Sequence, residues 1–306
     1  MAGIGFLFSG QGAQYTGMGK ALYEYSPAAR DVLDRLNEQR SDLLDLCFNG
    51  SVEDLSKTEN TQPAVYAVDL AAAAAAKEAG MQPSAAAGFS LGELAALAFA
   101  GYYTPEEGFG LVQKRASFMA DAAAKKPGAM LAVLRMENEA VEALCLGRTL
   151  YPVNYNCPGQ LVVAGSPEDI QYLQEKIKEA KGRSIPLPVS GGFHSPFMDE
   201  AAAKMEAELK QVVFRDPLIP VYANDTGKIY GKNAAEHLTN QINHPVLWED
   251  SIRNMICRGI DCFVEAGPGK ALSGFVSRIA PEARVISVDS AEGLEKWKEE
   301  QGYVER

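Results

Sequence analysis

The chain has 306 residues, 47% of them hydrophobic and 23% charged, with 28 glycines, 16 prolines and 5 cysteines. That composition excludes a disordered chain and predicts one large domain with an insertion, or two domains, around a sizeable core. The balance of 29 basic against 40 acidic residues gives a net charge of −11, which argues against nucleic acid or an anionic membrane surface as a partner.

In chain order, the opening MAGIGFLFSG is apolar but lacks a basic flank. It reads as a first strand over Gly3–Phe8 and not as an export signal. Pro63 is expected to start an alanine-rich helix that stops at Gly80. Its run Ala64 to Ala76 contains Asp69 and falls short of the roughly 20 apolar residues a membrane helix needs. Ala85–Gly88 is a short strand, and Leu91–Ala100 a helix closed by Gly101. A further helix begins at Pro105, with Thr104 as N-cap and Glu107 completing a capping box.

From Pro127 to Val189 the pattern is strand (Ala129–Leu134), helix (137–146), two strands (150–155 and 161–164), helix (167–180) and strand (184–189). This β-α-β-β-α-β order is the ferredoxin-like unit. The expected fold class is therefore α/β: a hydrolase-like core with a mostly parallel sheet, plus an inserted ferredoxin-like α+β subdomain. Residues 1–126 and 191–306 would form the large domain and 127–190 the small one. Late strands are expected near Cys262–Glu265 and Val285–Val288.

Cys47, Cys145, Cys157, Cys257 and Cys262 are an odd set without a CxxC pair, and the 3 histidines are scattered. Neither a disulfide framework nor a zinc site is suggested, so no metal or cofactor is expected and a reducing cytoplasm is the default compartment.

Gly88-Phe89-Ser90-Leu91-Gly92 fits G-x-S-x-G, placed between a short strand and a helix as a nucleophile elbow requires. Ser90 would stand at a helix N-terminus, where free N–H groups favour negative charge, with the Leu91 amide as an oxyanion donor; the plainer reading is an N-cap serine. A serine nucleophile needs a base with a pKa near neutral. His194, at a loop edge before the N-cap candidate Ser195, suits that role better than His237 or His244. Arg115 falls on the apolar stripe formed with Leu111, Val112, Phe118 and Met119. A buried guanidinium must be paired, either with a carboxylate of this protein or with one on a substrate. Gly10-Gln11-Gly12 lacks the third glycine of a dinucleotide fingerprint and the lysine of a P-loop, but it lets Gln11 approach another loop closely.

Together these motifs resemble the malonyl-CoA:acyl-carrier-protein transacylase family, kin of polyketide acyltransferase domains. The likeness rests on Phe6 to Gln14, Gly88 to Glu93, Lys114-Arg115, Asn154 to Gln160, Gly192 to Ser195, Gln241 with Pro245 to Trp248, and Glu265 to Gly269. It implies transfer of malonyl from malonyl-CoA to the phosphopantetheine thiol of holo acyl carrier protein. It also implies Ser90 as nucleophile, His194 as base, Gln11 and the Leu91 amide as oxyanion hole, and Arg115 on the malonyl carboxylate. Gln241 would orient the histidine through its backbone oxygen, and Phe193 fits a malonyl preference. Phe89 departs from the family's usual His and is expected to alter rate or selectivity without abolishing activity.

Acidic carrier proteins need a local basic patch here, for which Lys176, Lys178, Lys181 and Arg183, backed by Lys125 and Lys126, are candidates. A serine esterase or thioesterase shares G-x-S-x-G, but no HGGG loop occurs and Arg115 has no evident use on neutral esters. A non-catalytic carrier-protein-binding module would not need Ser90, His194, Gln11 and Arg115 together.

Overall fold

The computed structural model describes residues 3–189 and 191–301; Ser190, an expected boundary residue, lies outside them. Its first half runs β1 (Gly3–Phe8), α1 (Lys20–Tyr25), α2 (Pro27–Gln39), α3 (Leu43–Asn49), α4 (Val52–Ser56), α5 (Thr58–Glu78), β2 (Ala85–Gly88), α6 (Leu91–Ala100) and α7 (Pro105–Lys125). There follow β3 (Ala129–Leu134), α8 (Asn138–Cys145), β4 (Leu150–Cys157), β5 (Gln160–Gly165), α9 (Pro167–Glu179) and β6 (Arg183–Pro186). The last third holds α10 (Asp199–Leu209), β7 (Val221–Tyr222), α11 (Ala234–Asn243), α12 (Trp248–Cys257), β8 (Ile260–Ala266), α13 (Ala271–Ile279), β9 (Arg284–Val288) and α14 (Ala291–Glu300). Among the described residues no helix is long and apolar enough to cross a membrane.

The chain divides into two compact units. The first comprises Met1–Ala116, Val213–Tyr222 and Met255–Arg306. Its sheet has the order β7-β2-β1-β8-β9, and every pairing is parallel. β1 lies at the centre, and its residues Phe6, Leu7 and Phe8 are fully buried, as a strand covered on both faces demands. Phe6 and Phe8 project to one face and both pack on Phe99 of α6, at 5.2 and 5.3 Å between ring centroids. β2 is built of three alanines and a glycine, all buried, and α6 packs on it and on β1. In a parallel sheet of this kind the loops at the carboxyl ends of the strands form the ligand site. Here those loops are Ser9–Gly12 after β1, Phe89–Ser90 after β2 and Gly267–Gly269 after β8. Hydrogen bonds tie them together: the Phe89 amide donates to the Phe8 carbonyl (3.0 Å), and Ser9 Oγ donates to the Pro268 carbonyl (3.2 Å).

α5 starts five residues before the expected position, so Pro63 lies inside the helix instead of opening it. Every residue from Thr61 to Ala73 is buried, and that burial carries the helix through the proline. The Thr104 capping box forms as expected: the Glu107 amide donates to Thr104 Oγ1 (3.1 Å), and the Thr104 amide to Glu107 Oε2 (2.7 Å).

The second unit comprises Ser117–Val212 and Ala223–Asn254. Its sheet, in the order β4-β5-β3-β6, is antiparallel throughout, the ferredoxin-like arrangement. Leu131 and Val133 alternate along β3 into a core with Val141 of α8 and Ile170, Leu173 and Ile177 of α9. β6 ends at Pro186, three residues earlier than expected: beyond it the Leu187 amide still donates to Met130 O (2.9 Å), but Pro188 has no N–H to continue the ladder. This unit takes in more chain than 127–190. Val246, after α11, joins β4: its amide donates to Val153 O (2.8 Å) and its carbonyl accepts from the Tyr155 amide (3.0 Å).

Candidate active site

The turn from β2 into α6 is made possible by two glycines. A Cβ on Gly88 would collide with the backbone of Gly92, and one on Gly92 with the Phe8 carbonyl. Only residues without side chains let strand, turn and helix approach so closely. Between them Ser90 adopts φ 53°, ψ −106°, a conformation that costs a non-glycine residue on the order of 1–3 kcal/mol and concentrates at functional sites. Ser90 occupies the N-cap position of α6, yet its side chain makes no capping bond. The hydroxyl instead accepts a hydrogen bond from Arg115 Nη2 at 3.1 Å. Leu91, the first helical residue, presents an amide that the helix itself does not use.

Arg115 is 1% exposed. Its Nη1 donates to Gln62 Oε1 on α5 at 2.7 Å, while Nη2 reaches Ser90. Burial pulls the guanidinium down to about 10, with the charge of Glu93 opposing the shift, so it stays a cation at neutral pH. The apolar stripe thus delivers its one arginine to Ser90. Gln11, on the loop after β1, donates from Nε2 to Thr58 Oγ1 at 3.3 Å. Gly10 before it must be a glycine, because a Cβ there would lie 2.6 Å from the Phe89 carbonyl.

His194 belongs to the second unit, together with Phe193 and Gln241, and is buried. It too has a left-handed backbone, at φ 60°. α11 secures it twice. The His194 amide donates to Ile242 O (3.2 Å), and its Nδ1 lies 2.6 Å from Gln241 O. A carbonyl can only accept, so Nδ1 carries the proton, and in the neutral ring the lone pair lies on Nε2. Ser195 caps the following 3₁₀ turn, Pro196–Met198, by accepting from the Phe197 amide.

Comparison with known proteins gives this arrangement a family. Residues 5–303 match the family described as "Acyl transferase domain". The chain belongs to the acyl transferase domain family. It is 38% identical to the malonyl CoA-acyl carrier protein transacylase of Bacillus subtilis over 304 residues, 96% of each chain. The crystal structure of the malonyl CoA-acyl carrier protein transacylase from Clostridium perfringens superposes with a TM-score of 0.94 at 40% identity, covering 98% of both chains. A malonyl-transacylase solved in complex with a holo type II PKS acyl-carrier protein superposes at 0.92, with 31% identity over 98% of this chain and all of that one.

Two buried polar residues near Ser90 have no role assigned from the sequence. Gln62 is a buried amide at the end of the polar opening of α5 (Thr58 to Gln62), and Glu93 is a fully buried acid in the first turn of α6. For Glu93 the signal is an acid inside a run of small apolar residues; Gln62 closes the polar stretch Thr58 to Gln62, and nothing in the sequence sets it apart. Phe89 is half-buried and packs against Phe275, ring centroids 6.1 Å apart, where a histidine would bring polarity. Of the basic residues considered for docking, Lys176 is neutralised by Glu179 (2.7 Å) and Lys125 by Glu200 (2.5 Å). Lys178, Lys181 and Arg183 are exposed.

Proposed function

We propose that this acyl transferase moves a malonyl group from malonyl-CoA to the phosphopantetheine thiol of acyl carrier protein through a malonyl-serine intermediate on Ser90. The contact of Arg115 Nη2 with Ser90 Oγ carries the reading. It sets a cationic fork beside a hydroxyl on a tight bend, which suits an acyl group bearing its own carboxylate. The names of the relatives agree with that chemistry.

In the first half-reaction Ser90 Oγ attacks the thioester carbonyl while His194 Nε2 takes the hydroxyl proton. The oxyanion is held by the Leu91 amide and by Gln11. The C–S bond breaks, and the proton on Nε2 passes to the departing CoA sulfur. The pantetheine thiol then enters, loses its proton to His194 and attacks the malonyl ester, and Ser90 leaves with that proton. Gln241 O holds the imidazole in the tautomer both halves require and stabilises the imidazolium between them. Arg115 grips the malonyl carboxylate and disfavours acyl groups that lack one. Phe89 places a phenyl ring at the elbow where the resemblance expects an imidazole, and tunes rate or selectivity. The steps need no metal or redox cofactor. We place the reaction in the cytoplasm, since all five cysteines are free thiols, as suits a reducing compartment.

Incubation with malonyl-, methylmalonyl- and acetyl-CoA, followed by holo carrier protein, tests this proposal. Malonyl should load far faster than acetyl and pass to the carrier. Equal loading of acetyl, or hydrolysis in place of transfer, would overturn it.

A further inference from the structure

α11 supplies both carbonyls that hold His194, but something must hold α11. Its N-cap residue, Asn233, makes no side-chain cap, so the helix start is not fixed in the usual way. One turn before Gln241, His237 Nδ1 lies 2.9 Å from both carboxylate oxygens of Asp225. Asn240 Nδ2 donates to Asp225 Oδ2 at 3.3 Å. Position 237 is a surface neighbour of both 240 and 241, so two side chains grip one carboxylate within a turn of the residue whose carbonyl orients the base.

Asp225 is a firm anchor. Its side chain is 7% exposed, against 22% for His237. It sits in a closed turn in which the Gly227 amide donates to Ala223 O and the Ala223 amide to Lys228 O, both at 2.8 Å. Asn254 Nδ2 of α12 donates to Gly227 O (2.8 Å), and the Leu247 amide, just beyond α11, donates to Asn224 O (2.8 Å). The same turn therefore fixes the body of α11 and the chain leaving it. Tyr230 closes the far side, its ring edge-on to the His237 imidazole at 5.2 Å.

We propose that the Asp225–His237 pair is a positioning device for the acyl transfer: it sets α11 so that the Gln241 and Ile242 carbonyls hold His194 in its left-handed, reactive geometry. The inference rests on the reading of His194 as the base. A shift of α11 by a fraction of an ångström lengthens the 2.6 Å bond to Nδ1, and catalysis depends steeply on such placement. Neither Asp225 nor His237 touches substrate in this account, so substrate affinity is left alone.

The test compares the parent with His237→Ala, His237→Asn and Asp225→Asn, using malonyl-CoA and holo carrier protein as substrates and reading the His194 Nδ1–H proton resonance by NMR. That resonance, identified by its loss in His194→Ala, should lie far downfield in the parent because its hydrogen bond is short. His237→Ala and Asp225→Asn should lower kcat about tenfold, change KM for malonyl-CoA less than twofold and move the resonance upfield. His237→Asn keeps a donor near the Nδ1 position and should recover most of both. Parental kcat and an unmoved resonance in His237→Ala would overturn the inference, as would a loss that His237→Asn fails to recover in a variant that melts like the parent. Parental loading of Ser90 by His194→Ala would instead overturn the reading of His194 as base, a distinct outcome.

Discussion

Arg115 donates a hydrogen bond to the hydroxyl of Ser90 across 25 residues of sequence, with 3.1 Å between Nη2 and Oγ. The second arm of the guanidinium is held by Gln62, so the fork has a fixed plane before substrate arrives. Arg115→Ala should lower kcat/KM for malonyl-CoA by about 10²–10³, as expected for losing charged hydrogen bonds of about 1.5–3 kcal/mol each. The loss for acetyl-CoA should be smaller, so steady-state comparison of the two thioesters checks the carboxylate role. Equal losses would contradict it.

The elbow is sterically closed. Gly92→Ala drives a methyl group into the Phe8 carbonyl, which belongs to the central strand and cannot move aside cheaply. A destabilisation of about 3 kcal/mol is expected, the upper part of the range for overpacking, together with loss of acyl loading. Thermal melting and loading by intact mass measure the two effects. A variant that melts and loads like the parent would show that the elbow has room the structure denies.

These relationships also show where the sequence was informative. β2 and β3 have the expected ends because each is a short apolar run with a marked limit: β2 closes on Gly88, and β3 opens after Gly128 and stops where the charged Arg135 begins the turn. The elbow and its helix were legible because two glycines and a helix-stopping Gly101 mark them. α1, α3 and α4 have 6, 7 and 5 residues and owe their existence to packing, so no sequence pattern announces them. α2, with 13 residues, a Ser26 cap and Pro27 at its first position, does carry a sequence signal, although it is not among the expected elements. β7, only two residues long, exists because β2 offers it an edge. Gln62 was missed because proline at position 63 suggested a helix start, which left Gln62 outside the element that presents it. The acceptor from His194 is a main-chain carbonyl, and no side-chain pattern encodes that; only the family resemblance pointed to Gln241.

Asp69 offers a prediction about stability and pH. It is fully buried on α5, and burial holds its carboxyl well above the ordinary range; the charge of Glu265 adds to this and the Ser9 amide offsets only part. Folded chains therefore keep the proton after unfolded chains have lost it. Stability from this group is full below pH ~4 and falls as pH rises toward the folded pKa, by up to about 1.4 kcal/mol per pH unit. Asp69→Asn keeps the shape but cannot ionise. Its melting temperature relative to the parent should rise steadily between pH 5 and 8 (approximate limits of the window). A constant offset across that range would count against a protonated Asp69.

Carrier-protein docking is testable on the second unit. Lys178, Lys181 and Arg183 are exposed, while Lys176 is engaged by Glu179. Reversing the charge of the three together should raise KM for holo carrier protein several-fold and leave KM for malonyl-CoA unchanged, because rim charges act on encounter with an acidic partner. Equal effects on both constants would place docking elsewhere.

Peptide mapping after a brief incubation with malonyl-CoA, in the parent and in Ser90→Ala, bears most directly on the covalent route. The parent should carry one malonyl group on the peptide containing Ser90, and addition of holo carrier protein should remove it as malonyl-carrier forms. Ser90→Ala should carry none. A malonyl group persisting in Ser90→Ala, or one on the parent that the carrier cannot discharge, would contradict the account.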